Sequence, residues 1–161
     1  MTGIDLETSR PHLPEELVAS NTFLLKRLGF AAKQGAMEAY EAAGLGPYHH
    51  AILVLLDEGE RETQGSIADA LGYDRGTLVG LLDELQERGL VERERDPDDR
   101  RRHLVRMTAD GRKELMRLRA LARRLEDEFL APLDASQRAA LHDLLLQLAA
   151  VHEPGAARPP A

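Results

Sequence analysis

Arg100, Arg101 and Arg102 stand in a row directly behind Asp96-Pro97-Asp98-Asp99. Asp and Pro in that order favour a tight turn, and three guanidinium groups beyond it make a compact cationic tip. Guanidinium pairs bidentately with phosphate and with the guanine edge, so this is chemistry suited to nucleic acid. A second group lies upstream, in Arg75-Gly76-Thr77-Leu78-Val79. There Arg75 could bond guanine O6 and N7, Thr77 a base or a phosphate, and Val79 a thymine methyl. Gly76 and Gly80 are poor helix formers, either used to let a backbone approach DNA closely or merely tolerated. Thr63, Gln64 and Ser66 could bond phosphates at a helix start, where the dipole favours anions, although Thr63 also suits plain capping.

These groups need elements to hold them. Leu13-Pro14-Glu15-Glu16 reads as a helix start, and the apolar spacing predicts one long helix over about 13–42. Gly44-Leu45-Gly46-Pro47 breaks it, and a second helix follows over about 47–59. Thr63 caps a third at about 64–71, Gly72 stops it, and Asp74 caps a fourth at about 75–88. Alternating segments at about 91–95 and 103–107 predict a hairpin whose tip is the arginine run. Helices at about 109–130 and 135–152 complete the chain, the last opened by an Asp134/Gln137 capping box. The ends, 1–12 and 153–161, are expected to be flexible. Helix, tight turn, helix and hairpin form the layout of a winged helix-turn-helix, which places one helix in the major groove and the hairpin tip against the backbone or minor groove. The fold class is therefore mainly α with a small β-hairpin wing. A single domain over 13–152 is expected, with the winged lobe at 63–111 and dimerisation helices at 13–46 and 109–152.

Composition narrows the function classes. The chain has 161 residues and no cysteine, which excludes disulfides, thiolate metal sites and thiol redox chemistry. No apolar run reaches the length of a membrane span, and Met1-Thr2-Gly3-Ile4-Asp5 does not read as a secretory leader, so the cytoplasm is the expected location. The net charge of −7 opposes a nucleic-acid partner at the level of the whole chain. Local field counts for more, because screening acts over about 8 Å and the arginines are concentrated. No nucleophile triad, phosphate-cradling glycine loop or paired-carboxylate motif is recognisable, so an enzyme is not expected. His49, His50, His103, His142 and His152 are scattered without ligand spacing.

Five stretches together resemble the MarR family of transcription factors (multiple antibiotic resistance regulators). They are Thr63–Gly72, Thr77–Leu85, Glu87-Arg88-Gly89-Leu90-Val91-Glu92-Arg93, Asp96-Pro97-Asp98-Asp99-Arg100-Arg101 and Met107-Thr108-Ala109-Asp110-Gly111. The resemblance implies a homodimeric DNA-binding regulator, usually a repressor, on a pseudo-palindromic double-stranded operator. It assigns Asp99 to hold the wing arginine, Arg101 to reach the minor groove, and Arg100 and Arg102 to contact phosphates. Val79-Gly80 departs from the family pattern, which often has Ser or Thr followed by Arg. Base reading therefore falls to Arg75, Thr77 and Val79.

The family resemblance also implies a small aromatic or phenolic effector, with no other cofactor. Phe23, Arg27, Phe30, Tyr48, His49 and His50 are the candidate lining, an aromatic set with a cation suited to a carboxylated ring. His49 and His50 are adjacent on a helix, so their rings point about 100° apart. Two other readings fit the same fold: a winged-helix module that binds protein and no DNA, and a metal-responsive regulator.

Overall fold

The computed structural model describes residues 12–59 and 62–153. The expected flexible ends lie outside these residues, apart from His12 and Glu153. The chain divides into two compact units, Met1–Gly35 and Ala36–Ala161.

In the first unit α1 spans Glu15–Val18, and α2 begins at Asn21 and runs to Ala42 across the unit boundary. The single helix expected over 13–42 is thus interrupted at Ala19-Ser20. Ser20 provides the reason: its hydroxyl oxygen accepts from the Phe23 amide at 3.3 Å, a side-chain cap that starts a new helix. Most of the apolar side chains here are exposed, among them Leu17, Val18, Leu25, Leu28 and Phe30.

The second unit holds α3 (Pro47–Glu58), β1 (Glu62–Thr63), α4 (Gln64–Leu71), α5 (Arg75–Glu87), β2 (Val91–Arg95), β3 (His103–Met107), α6 (Ala109–Phe129) and α7 (Ala135–His152). Each expected helix and both expected strands are present with ends shifted by at most a residue or two. β1 was not foreseen. It lies antiparallel along the free edge of β3, Glu62 opposite Val105 and Thr63 opposite Leu104, to give the order β1-β3-β2. Two residues carry no alternation to read, and only pairing defines the strand.

The core is built from one face of each element. Ile52, Leu53, Ile67, Leu78, Leu82, Leu85, Leu115 and Leu118 are all at most 1% exposed, and Val91 and Val105 of the sheet at most 2%. Burying each such side chain contributes about 1.5–3 kcal/mol. Local chemistry fixes the joints. Gly72 takes φ 66°, the left-handed conformation that turns the chain between α4 and α5. At the root of the wing, Thr108 caps α6 by accepting from the Gly111 amide, and its hydroxyl donates to the Gly89 carbonyl at 2.7 Å. Gly111 packs so closely there that a Cβ would sit 2.1 Å from the Leu90 carbonyl oxygen.

Candidate nucleic-acid interface

The recognition elements are capped by their own neighbours. At α4, the Thr63 hydroxyl oxygen accepts from the Ser66 amide at 3.1 Å, and the Ser66 oxygen accepts from the Thr63 amide at 2.9 Å. Ser66 also donates to Glu62. Both hydroxyls named as phosphate contacts are therefore engaged in a capping box, and Gln64 is the one of the three with an uncommitted role. At α5, Asp74 accepts from the Thr77 amide at 2.9 Å and from the Thr77 hydroxyl. These bonds hold the Asp74 carboxyl below its ordinary range. With its proton directed at Asp74, Thr77 has only oxygen lone pairs and a methyl group to offer a base.

Helical periodicity turns Leu78, Leu82 and Leu85 inward and leaves Arg75, Gly76, Val79 and Gly80 facing out. A Cβ at Gly80 would meet nothing within 4 Å, so this stretch of α5 presents bare backbone beside Val79. Strand β2 is bolted to α5 by Arg93, whose guanidinium pairs with Asp83 and bonds Gln86 at 2.6 Å. That link orients the wing relative to the recognition helix.

The wing tip is a closed hydrogen-bonded turn. The Asp96 amide donates to the Arg102 carbonyl at 3.0 Å, and the Asp98 amide donates to the Asp96 side chain at 2.9 Å. Asp99 accepts from the Arg101 amide at 3.0 Å and from its guanidinium at 3.4 Å. The same carboxylate lies 3.4 Å from the Arg102 guanidinium, so Asp99 steers two arginines where the sequence assigned it one. The Arg101 side chain remains 93% exposed, aimed outward from this anchor. Arg100 is exposed as well.

Between these elements lies an open cleft of about 560 Å³. Thr63, Gln64 and Ser66 line it from α4, Arg75 and Val79 from α5, and Arg101 and Arg102 from the wing. Seven of the eleven residues proposed from sequence thus meet on one surface. Asp69, Leu78 and His103 also line it and were not foreseen as contacts; Asp69 and Leu78 fall within the family stretches with no contact role given to them, and His103 lies outside those stretches.

The six effector candidates fall into two sets. Phe23, Arg27 and Phe30 share a groove of about 530 Å³ on α2 with Lys26 and Lys33. In the other unit, Tyr48 stacks edge-on against Tyr73, with ring centroids 5.4 Å apart. His49 and His50 diverge. The Gly46 amide donates to His49 Nδ1 at 3.0 Å, which leaves the proton on Nε2, 3.0 Å from Glu84 of α5. His50 Nδ1 lies 2.5 Å from the Tyr40 hydroxyl. Burial pushes both imidazoles below their ordinary value; Glu84 opposes the shift at His49, and the Arg119 charge adds to it at His50. His49 therefore ties the start of α3 to the recognition helix, a role other than lining a pocket. Among the described residues no group of three or more His, Cys, Asp or Glu side chains is placed to hold a metal ion. Nor is any described helix long and apolar enough to cross a membrane.

Known proteins share this arrangement. The model of the MarR family matches residues 43–102. A putative transcriptional regulatory protein for the hcr operon of Thauera aromatica is 30% identical over 129 residues, covering 75% of this chain and 78% of that protein. The solved structure of the transcriptional repressor CouR bound to a 23-mer DNA duplex is similar at 34% identity and a TM-score of 0.76, over 86% of this chain and 99% of that one. CouR from Rhodococcus jostii RHA1 bound to p-coumaroyl-CoA is similar at 31% identity and a TM-score of 0.69, over 84% and 96% of the two chains. With the capped recognition helix, the arginine wing and the cleft between them, the chain belongs to the MarR family and is a winged-helix transcriptional regulator.

Proposed function

We propose that this regulator is a homodimeric, effector-responsive repressor of a pseudo-palindromic operator. The single observation that carries the DNA-reading part is the shared cleft of Arg75, Val79, Arg101 and Arg102. In this reading α5 enters the major groove. Arg75 bonds a guanine edge, Val79 packs on a thymine methyl, and the bare backbone at Gly80 allows close approach. Arg101, held by Asp99, enters the adjacent minor groove, where narrow A·T-rich sequence concentrates negative potential. Arg100, Arg102 and Gln64 contact phosphates and fix register.

Dimerisation rests on unburied apolar surface. No residue of α7 is buried, and Leu144, Leu145, Leu146, Leu148 and Val151 are all exposed. A second copy is the partner whose symmetry matches a palindrome, with half-sites about one helical turn apart. For the effector, the groove on α2 sets Phe23 and Phe30 among Lys26, Arg27 and Lys33, apolar ring surface beside three cations. A phenolic carboxylate, or its coenzyme A thioester by analogy with the CouR complex, suits that chemistry. Release from DNA follows if the effector binds more tightly to the dimer geometry that misaligns the recognition helices.

The test is a fluorescence-anisotropy titration with duplex DNA from immediately upstream of the protein's own reading frame. Binding that is selective over a scrambled duplex, weakens steeply with salt and is relieved by an aromatic acid or thioester is expected. Equal binding to both duplexes would contradict operator recognition, and binding indifferent to every such compound would contradict the effector.

A further inference from the structure

The lining of the cleft includes a residue to which the DNA-reading scheme above gives no role. His103 opens β3 and is exposed. Alternation along the strand puts it on the same side as Val105 and Met107, the side that packs into the core beneath the helices. Val105 is buried at 2% exposure, and His103 lies two residues beyond it, where the core ends and the cleft begins. Leu78 and Val79 of α5 line the same cleft. The imidazole thus faces, from the base of the wing, the cleft shared with the element that enters the major groove. Any duplex engaged by both α5 and the wing must lay the backbone strand that separates the two grooves across this cleft.

We propose that His103 is a protonatable phosphate contact that makes DNA affinity rise as pH falls. The inference rests on the DNA-reading scheme above. Histidine is the side chain whose charge changes between about pH 5 and 8, and as imidazolium it donates a charge-assisted hydrogen bond to a phosphate oxygen. Charged groups on the neighbouring elements are Asp69 of α4, Arg75 of α5 and Arg101 and Arg102 of the wing, which line the same cleft, Arg95 opposite it on β2, and Glu62 of β1 opposite Val105. Phosphates entering the cleft bring negative charge to it, so DNA binding and proton uptake at His103 reinforce each other by linkage.

A phosphate contact is blind to sequence, so a short random-sequence duplex is a sufficient probe, with the upstream duplex as a second. Affinity would be titrated against salt at about pH 6 and about pH 8. Wild type is expected to bind both duplexes more tightly at the lower pH, on the order of tenfold, and its log–log salt slope should steepen by about 0.9, the value of one added phosphate contact. His103→Gln should lose that pH-dependent increment and keep the remaining slope. His103→Lys should hold the steeper slope at both pH values. Retention of the full increment in His103→Gln would overturn the proposal, as would a wild-type slope that does not change with pH. An effect of His103→Gln on the upstream duplex alone would identify a base contact and overturn it too. Loss of selectivity between the two duplexes at about pH 8, where histidine is neutral, would instead count against the DNA-reading scheme itself. Thermal unfolding of both variants serves as the control, and an exposed residue should leave it unchanged.

Discussion

The winged lobe and the C-terminal helix treat the same residue type in opposite ways. Leu78, Leu82 and Leu85 of α5 are at most 1% exposed, whereas Leu144, Leu145, Leu146 and Leu148 of α7 are all more than 40% exposed. Both helices are capped by an aspartate accepting an amide at 2.9 Å, so local helix chemistry does not separate them. What differs is the supply of partner surface within one chain. The lobe closes its own core with β2, β3, α3 and α6. Among the described residues the leucines of α7 have no such cover. A monomer rarely leaves so much apolar surface in water without an interaction to use it.

The largest expected effect sharpens this contrast. Leu82→Ala should cost about 2–5 kcal/mol, read as the urea midpoint, because it opens a cavity in a closed core. Leu144→Glu with Leu145→Glu should leave the far-ultraviolet circular dichroism of the chain intact and shift its sedimentation from dimer to monomer. A monomeric wild type, or collapse of the lobe in the double variant, would erase the distinction between the two regions.

A smaller effect tests their similarity. Asp74→Ala and Asp134→Ala each remove one N-cap and should each lower the thermal unfolding midpoint by a similar, modest amount. Asp74→Ala should in addition weaken DNA binding, since it frees the first turn of the recognition helix and releases Thr77. Equal DNA affinity in the two variants would deny α5 its special place.

The smallest effect is on pH. His49 and His50 are held below their ordinary value chiefly by burial, so the unfolded chain binds more protons than the folded one as pH falls below about 6.5. Their contribution is complete above that pH and is lost as pH falls through the folded values. The urea midpoint of wild type should therefore drop between about pH 7 and 5 by more than that of His49→Gln/His50→Gln. A double variant with the same slope as wild type would remove these residues from the account of acid sensitivity.

Much of the lobe could be read from local chemistry. Thr63, Asp74, Thr108 and Asp134 are caps, Gly72 is a stop, and Asp96-Pro97 marks the turn, because each acts on amides within three residues of itself. The contacts that were not legible join residues far apart in sequence. His49 meets Glu84, Arg93 meets Asp83, and β1 exists only because β3 passes beside it. Periodicity also extended one helix through Ala19-Ser20, since it ignores a serine able to cap. At the site, Arg75, Arg101 and Arg102 were legible from charge and position. His103 was not, because an isolated histidine in a strand gives no spacing signal until the fold brings it into one cleft with the recognition helix.

The central claim is that recognition helix and wing read DNA together. Its most direct test is a titration of the upstream duplex and a scrambled duplex with wild type, Arg75→Ala and Arg101→Ala at fixed salt. Arg75→Ala should lose about 1–3 kcal/mol on the upstream duplex and much less on the scrambled one. Arg101→Ala should weaken binding to the upstream duplex as well, most where its flanks are A·T-rich. Wild-type affinity in both variants would contradict the claim.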